Sequence, residues 1–295
     1  VAKVISQNNI RHLFHKSENI DAFFRSYWAA FITLGCNAGC SYCIQGNAGQ
    51  AKYNLVPGKD WVEALNAIEN RSQKRFFRPA RSKKLTIIGG EPGLHPDFFY
   101  IVNNLDNSWL ITVDTNLAAP IFKEPETFLK QLKRMQKIKF HVSYHPSTMD
   151  AEIFINRVKA LQKNGLKIKR LFIVAYPPDN LSKINQLQKI FAKEALKTEL
   201  LRYMGFYKDE LYPKDTSDLK ANYADDGVKD YKLFQNACGQ KKRNNVSCRL
   251  RKILIAPDGR IYNCHYKLYI RSDNFYGNLF DESSSSIIAR DYFLC

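Results

Sequence analysis

Three cysteines within eight residues are the part of this sequence best suited to chemistry. Cys36, Cys40 and Cys43 stand in the string CNAGCSYC, a C-x3-C-x2-C spacing. Iron–sulfur clusters are held by cysteine thiolates, normally four to a cluster. Three thiolates this close together can bind three irons of a 4Fe–4S cluster and leave the fourth iron to another ligand. The spacing therefore predicts a metal centre with one open position.

The cysteines follow a predicted strand, and most of the chain beyond them alternates strands with helices. The apolar runs predict six strands, at 30–34, 85–90, 110–115, 139–144, 167–176 and 199–206. Helical spacing is found between them, at 61–70, 95–105, 125–136, 150–165 and 181–195. This alternation predicts an α/β fold in which helices cover a parallel sheet, either open or rolled into a partial barrel. Ligands of such folds bind beyond the carboxyl ends of the strands, so the loops there should carry the site.

A second motif, Gly89-Gly90-Glu91-Pro92, ends the second predicted strand. Glycines let a ligand approach the backbone closely, and backbone carbonyls with a carboxylate suit an ammonium donor. A plain strand-to-helix turn is the alternative for this segment taken alone. Its place at the same end of the sheet as the cysteines favours a binding role.

The two motifs and the six strand–helix units, which cover about the first 206 residues, resemble the radical S-adenosylmethionine (radical SAM) superfamily. The resemblance implies a partial (β/α)6 TIM-like barrel. It also implies that Cys36, Cys40 and Cys43 bind a 4Fe–4S cluster whose open iron takes the amino and carboxylate groups of S-adenosylmethionine. These cysteines are therefore both the metal ligands and the catalytic residues that the resemblance predicts.

Further cofactor contacts are implied by the same resemblance. The segment 89–92 matches the one that contacts the methionine amino group, and Tyr42 matches an aromatic position near the adenine. Asn116 and Ser143 end the third and fourth strands, where they are expected to bond the ribose or the methionine carboxylate. His145 is a weaker candidate for the same contacts. Ordinary capping of strand ends is the alternative for all three.

The family resemblance also implies a reaction. The reduced cluster gives one electron to the sulfonium, the C5′–S bond breaks, and the 5′-deoxyadenosyl radical takes a hydrogen atom from a substrate. The protein orients the reactants while the cofactor carries the chemistry. We expect the electron to come from an external one-electron reductant such as flavodoxin or ferredoxin. A non-catalytic iron–sulfur protein for electron transfer or sensing is the alternative of another class.

The remaining cysteines, Cys238, Cys248, Cys264 and Cys295, lie in the last third of the chain. The segment 251–266, which contains Cys264, predicts two strands joined at the turn 257–259. This region resembles the C-terminal auxiliary-cluster domain of the SPASM and twitch subgroups, which implies a second 4Fe–4S cluster. The resemblance implies Cys248 and Cys264 as its ligands, and Cys295 after them. The partner expected two or three residues after Cys295 is not in this sequence, so either the true chain continues, or Cys238 is the fourth ligand, or one iron is open.

Domain boundaries follow from these patterns. We expect an N-terminal cap over 1–28, the radical SAM barrel over 29–206, and a linker with the auxiliary-cluster domain over 207–295, truncated there if the true chain continues. The sequence has neither a long apolar run nor a signal peptide, which predicts a cytoplasmic protein without a membrane partner.

The net charge of +17 bears on the substrate. An excess of positive charge favours anionic partners, and a small polar or phosphorylated substrate suits it. Peptide or RNA modification is the alternative within the same chemistry. Only 35 residues precede Cys36, which we expect to be too short for a leader-binding module. The basic segment 71–84 is expected at the amino end of the barrel, and 241–245 lies nearer the second cysteine set.

Overall fold

The computed structural model describes residues 27–45, 55–68, 83–146, 148–178, 180–203, 205–212 and 252–281. Six successive strands lie side by side in its sheet: β1 (Tyr27–Thr33), β2 (Lys83–Gly89), β3 (Trp109–Thr115), β4 (Ile138–Tyr144), β5 (Ile168–Ala175) and β6 (Glu199–Arg202). From β2 onward, each pairs in parallel with the strand before it in the sequence. The expected α/β fold with an open parallel sheet, a partial barrel, is confirmed.

Helices connect these strands and cover one face of the sheet. Their bounds are α1 (Gly58–Ala67), α2 (Phe98–Asn104), α3 (Pro125–Gln131), α4 (Ala151–Lys163) and α5 (Leu181–Lys193). Apolar residues alternate along the strands, so that Ile111 and Val113 face the helices while Asp114 lies on the opposite side. Trp61 of α1 and Phe154 of α4 are fully buried in the same core. The helices therefore fix the strands and leave the other face of the sheet for polar side chains.

We call that other face the inner face, and polar side chains of neighbouring strands pair there. Asp114 of β3 lies 3.1 Å from His141 of β4, and Arg170 of β5 forms an ion pair with Glu199 of β6. Each of these side chains keeps 22–33% of its surface exposed. The contact with Glu199 raises the pKa of Arg170 and lowers the pKa of the Glu199 carboxyl.

The C-terminal region adds further strands to the same sheet. After the small hairpin of β7 (Gly205–Tyr207) and β8 (Glu210–Tyr212), β9 (Lys252–Ile255) and β10 (Ile261–Tyr262) form a second hairpin. The predicted turn is present: Gly259 N–H donates to the carbonyl of Ala256 at 2.9 Å. Unexpectedly, β9 pairs in parallel with β1, giving the order β10-β9-β1-β2-β3-β4-β5-β6.

The last described helix, α6 (His265–Tyr269), packs on the inner side of the first strand. Phe31 of β1 makes edge-to-face contacts with His265 and Tyr269, at ring-centroid distances of 5.9 and 6.0 Å. Leu268 and Tyr262 are buried in the same small cluster. The C-terminal residues 252–269 are thus joined to the barrel by both hydrogen bonds and apolar contacts.

Several sequence predictions lie outside the described residues. These are the N-terminal cap up to residue 26, the basic segment 71–84 up to residue 82, the basic segment 241–245, and Cys238, Cys248 and Cys295. The three domain boundaries stay predictions, although β1 begins at Tyr27, two residues before the expected start of the barrel. Across the described part of the chain, no helix is both long enough and apolar enough to span a membrane.

Candidate functional site

The cysteine loop begins directly where β1 ends. Gly39 has a φ of 60°, and Cys43 N–H donates to the Cys40 carbonyl at 3.1 Å, so a tight turn brings the second and third thiols together. The backbone N–H of Ala38 lies 3.5 Å from the Cys36 sulfur. The structure therefore gathers all three predicted thiols into one short loop at the carboxyl end of the sheet.

The pKa values of the cysteine thiols depend on burial and on the neighbouring charges. Burial raises the pKa of Cys36 and of Cys40, and the neighbouring thiolates raise it further because like charges repel. A cation bound among them would reverse this, since metal coordination deprotonates a thiol outright. The donor set is thus suited to a group that supplies positive charge to all three sulfurs.

The arrangement of the three cysteines favours an iron–sulfur cluster over a single metal ion. In the described residues, no three His, Cys, Asp or Glu side chains converge closely enough to hold one metal ion. An iron–sulfur cube differs because each of its irons takes its own thiolate. The three cysteines offer soft sulfur donors that are spread over one loop, and their thiolates repel one another. This set fits such a cluster better than a site for a single metal ion.

Gly89 and Gly90 lie against the end of β1. A Cβ on Gly89 would overlap the Thr33 carbonyl, and one on Gly90 would overlap the carbonyls of Leu34 and Gly35. Gly90 N–H donates to the Thr33 carbonyl at 3.0 Å, and the N–H of the residue after Gly90 donates to the Gly35 carbonyl at 2.9 Å. The two glycines therefore allow the backbone that enters the cysteine loop to pass close by, which is a different reason from the ligand approach that we expected.

Glu91 is fully buried, and its carboxylate joins the ends of two strands. The Thr115 hydroxyl donates to its two oxygens at 2.8 and 2.9 Å, and the backbone N–H groups of Asn116 and Gly93 donate at 2.8 and 2.9 Å. Burial raises the pKa of Glu91 to about 7, against the effect of these donors. A contact of this carboxylate with a methionine amino group stays a prediction, and Pro92 is buried as the first residue of the short helix that follows.

Gln45 is a residue that the sequence reasoning did not single out. Its amide nitrogen donates to the Gly89 carbonyl at 2.7 Å, which ties the cysteine loop to the glycines. Its amide oxygen is buried, and no hydrogen-bond partner for it is found among the described residues. An unpaired buried acceptor is costly, so this oxygen fits a donor such as a ligand's ammonium group. The signal in the sequence was a polar residue two positions after Cys43.

Asn116 and Ser143 lie where the sequence placed them, at the carboxyl ends of β3 and β4. The Asn116 amide nitrogen is 3.7 Å from the Cys36 sulfur, so this side chain is beside the cysteine loop. Its amide oxygen accepts from Ala118 N–H at 2.7 Å. Ser143 is half-buried on the inner face, in register with Phe172 of β5. Their predicted contacts with a ribose or carboxylate stay predictions.

Tyr42 and His145 make direct contact. Their polar atoms are 3.0 Å apart, and the Nδ1 of His145 is also 3.6 Å from the Cys40 sulfur. Burial lowers the pKa of His145 to about 4, so the ring is neutral at physiological pH. The ring of Tyr176, which follows β5, lies 4.0 Å from that of Tyr42 between centroids. The structure thus brings His145 to the cysteine loop more closely than the sequence suggested.

Cys264 is the one auxiliary candidate within the described residues. It is half-buried and follows β10, and it caps α6 with an extended backbone at φ −135° and ψ 129°. The preceding residue, Asn263, is fully buried, and neither polar atom of its side chain has a partner in the described parts of the chain. A buried amide of this kind requires a polar neighbour.

An open parallel α/β sheet, with three thiols gathered at the carboxyl end of its first strand, defines the chain as a partial-barrel protein with a candidate iron–sulfur site. The sequence model of the Radical SAM superfamily matches residues 31–190, more than half of the chain. The chain therefore belongs to the radical SAM superfamily. No curated protein matches it.

Solved structures with a similar fold include two complexes of SuiB from Streptococcus suis, each 16% identical with a TM-score of 0.60. The complex with S-adenosylmethionine matches over 90% of this chain and 66% of SuiB. The complex with the precursor peptide SuiA matches over 97% and 69%. Native anSMEcpe with bound AdoMet and the Kp18Cys peptide has 16% identity, a TM-score of 0.56, and coverages of 88% and 79%. The chain thus spans about two thirds of the length of SuiB, and identities this low show a shared fold alone.

Proposed function

We propose that this protein is a radical SAM enzyme in which Cys36, Cys40 and Cys43 hold a 4Fe–4S cluster. The observation that carries the proposal is the gathering of the three charge-coupled thiols in the loop that follows β1. A cluster held there would supply the single electron for reductive cleavage of S-adenosylmethionine, the chemistry by which a 5′-deoxyadenosyl radical would take hydrogen from a substrate. An external one-electron donor such as flavodoxin or ferredoxin would reduce the cluster.

The residues around the loop would bind and orient S-adenosylmethionine. Gln45 offers an unpaired amide oxygen beside the Gly89 carbonyl, and both suit the methionine amino group. Asn116 and Ser143 offer short polar side chains for the ribose or carboxylate. Tyr42 would place its aromatic ring near the adenine while keeping its contact with Tyr176. Glu91 would act through its bonds to β3, which hold Asn116 in place.

The test is anaerobic reconstitution followed by dithionite and S-adenosylmethionine, with 5′-deoxyadenosine measured by mass spectrometry. The variant in which Cys36, Cys40 and Cys43 are all alanine should lose about four irons and all 5′-deoxyadenosine. Cys264→Ala is the matched control, because it removes one cysteine outside the loop and should leave 5′-deoxyadenosine formation intact. Wild-type protein with a full cluster that yields no 5′-deoxyadenosine under these conditions would overturn the proposal.

We also propose an auxiliary 4Fe–4S cluster in a SPASM- or twitch-like C-terminal region. Cys264 supports it, as does the buried amide of Asn263, which has no partner among the described residues, together with the sequence positions of Cys248, Cys295 and Cys238. Wild-type protein should then bind about eight irons and Cys264→Ala fewer, whereas about four in both would refute this cluster.

The substrate class has two candidates. The inner-face pairs Asp114–His141 and Arg170–Glu199, with the net charge of +17, favour a small polar or phosphorylated molecule. A peptide is favoured by a separate observation, since SuiB and anSMEcpe, which share the fold, were each solved with a bound peptide. Deuterium transfer into 5′-deoxyadenosine from deuterated peptides, but not from deuterated sugar phosphates or nucleotides, would decide for the peptide. The reverse result would decide for the small molecule.

A further inference from the structure

Three polar groups meet at the second cysteine of the loop. The Nδ1 of His145 is 3.0 Å from the Tyr42 hydroxyl and 3.6 Å from the Cys40 sulfur. The Tyr42 hydroxyl also hydrogen-bonds the same sulfur, which offsets part of the rise in the pKa of Cys40 that burial causes. Cys40, Tyr42 and His145 therefore form a closed triangle in which each group contacts the other two.

The directions of these hydrogen bonds follow from the chemistry of the sulfur. A thiolate that binds iron has no proton and can only accept. The Tyr42 hydroxyl must then donate to Cys40. The oxygen of that hydroxyl can still accept, so Nδ1 of His145 must carry its proton and donate to the oxygen, to the sulfur, or to both. The arrangement thus selects the Nδ1–H tautomer of His145, because the other tautomer would place a lone pair against a thiolate.

The triangle is held in place from two sides. His145 directly follows β4, so its backbone is fixed by the sheet. The Tyr42 ring is stacked on the His145 ring, with 5.9 Å between the ring centroids. The Tyr42 ring also contacts the Tyr176 ring, with 4.0 Å between the centroids. The Tyr176 hydroxyl is bonded to Ser41 at 3.3 Å and so takes no part in the triangle. Two aromatic neighbours therefore orient the Tyr42 hydroxyl toward Cys40.

We propose that Tyr42 and His145 are positioning residues that donate hydrogen bonds to the Cys40 thiolate and thereby raise the reduction potential of the cluster. The inference rests on the proposed function, because it requires a cluster on Cys40. Reduction adds negative charge to a cluster, and donors at a ligand sulfur stabilise that added charge. The pair would make the single-electron reduction of the cluster easier than it would be with thiolates facing apolar groups.

The experiment is a redox titration of reconstituted protein, followed by the electron paramagnetic resonance signal of the reduced cluster without S-adenosylmethionine. All variants are made in a Cys264→Ala background, so that an auxiliary cluster does not add a second signal. Tyr42→Phe keeps the ring and removes the hydroxyl, and His145→Leu removes the ring nitrogen. Both should shift the potential to more negative values at unchanged iron content. Tyr176→Phe is the matched control, because it removes a hydroxyl from the adjacent ring that bonds Ser41 instead, and its potential should equal that of the parent.

The variant that combines Tyr42→Phe with His145→Leu tests whether the two residues act together or independently. If His145 acts partly by orienting the Tyr42 hydroxyl, the shift of the double variant will be smaller than the sum of the two single shifts. A Tyr42→Phe protein with full iron and the parent potential overturns the inference. Because the titration needs no S-adenosylmethionine, that result would not contradict the proposed cleavage of S-adenosylmethionine. A protein that takes up no iron at the three cysteines would instead sink both proposals, and iron counting identifies that case.

Discussion

The hydroxyl of Thr115 donates to both carboxylate oxygens of Glu91, at 2.8 and 2.9 Å. This contact joins the carboxyl end of β3 to the segment after β2, and it is completely buried. The same hydroxyl oxygen accepts from Leu117 N–H at 3.0 Å. The end of the sheet on which the cysteine loop rests is therefore held by a small polar network rather than by apolar packing alone.

Thr115→Val should destabilise the protein by about 2 kcal/mol, because it leaves the Leu117 N–H and part of the Glu91 carboxylate without a partner in a buried place. The change keeps the size and branching of the side chain. Thr112→Val, on the inner face of the same strand, is the matched control and should stay within about 0.5 kcal/mol. Chemical denaturation of the metal-free protein measures both, and equal midpoints for the two variants would contradict the prediction.

The buried carboxyl also predicts a pH dependence. Burial raises the pKa of Glu91 from 4.5 to about 7, so the folded protein holds this proton where the unfolded chain releases it. Between these values the folded state binds more protons, and stability must fall as the pH rises. The contribution is complete below about pH 4.5 and is lost above about pH 7.

Glu91→Gln isolates this group, because glutamine resembles the protonated acid and does not titrate. Wild type should lose up to about 3 kcal/mol relative to Glu91→Gln between pH 5 and pH 8, as the shift in pKa implies. Unfolding free energies of both proteins at several pH values provide the measurement. A constant difference across this range would show that Glu91 titrates at its ordinary pKa.

Gly90→Ala should prevent the cysteine loop from taking its position. The added Cβ would overlap the carbonyls of Leu34 and Gly35, which lie in the chain entering the loop. We expect a loss of more than about 2 kcal/mol in stability, as for other overpacked sites, and poor iron uptake. Gly165→Ala is the control: its φ is 92° but the space around it is open, so it should cost about 1 kcal/mol and retain full iron. Normal iron content in Gly90→Ala would count against this account of the glycine.

Gln45→Met should weaken binding of S-adenosylmethionine about tenfold. The substitution removes the amide oxygen proposed to accept from the methionine ammonium group; a hydrogen bond to a charged group is worth about 1.5 kcal/mol, and tenfold corresponds to about 1.4 kcal/mol. Calorimetric titration of the reconstituted, oxidised protein is the measurement. Ile44→Ala, at a neighbouring residue that is 79% exposed, should bind as wild type does. If Gln45→Met bound S-adenosylmethionine as tightly as wild type does, Gln45 would not belong to the proposed binding site.

Much of the fold could be predicted from the sequence because its strands are regular apolar runs. The strand predicted at 139–144 is Ile138–Tyr144, and the helix predicted at 181–195 is Leu181–Lys193. The predicted turn at 257–259 is present as well. Local periodicity and turn chemistry determine these features, so a single sequence is sufficient to find them.

The contacts that define the candidate site are different, because they join residues far apart in the chain. Tyr42 and His145 are separated by 103 positions, and nothing in the sequence near either one indicates the other. The role of Gly90 was likewise hidden, since the carbonyl oxygens that its missing Cβ avoids belong to Leu34 and Gly35, more than fifty positions earlier in the chain. The sequence predicted which end of the sheet carries the site, whereas the partners of each side chain depend on how the strands pack.

The pairing of β9 with β1 has a consequence for how the chain can be shortened. Residues 252–255 cover the side of β1 that does not face β2, along the strand that leads into the cysteine loop. A fragment ending near residue 206 would leave those backbone N–H and C=O groups unpaired, as an exposed edge that other chains can join. The hairpin of β9 and β10 therefore protects this edge of β1. A chain shortened before residue 252 would expose the strand that leads to Cys36 and favour association between chains.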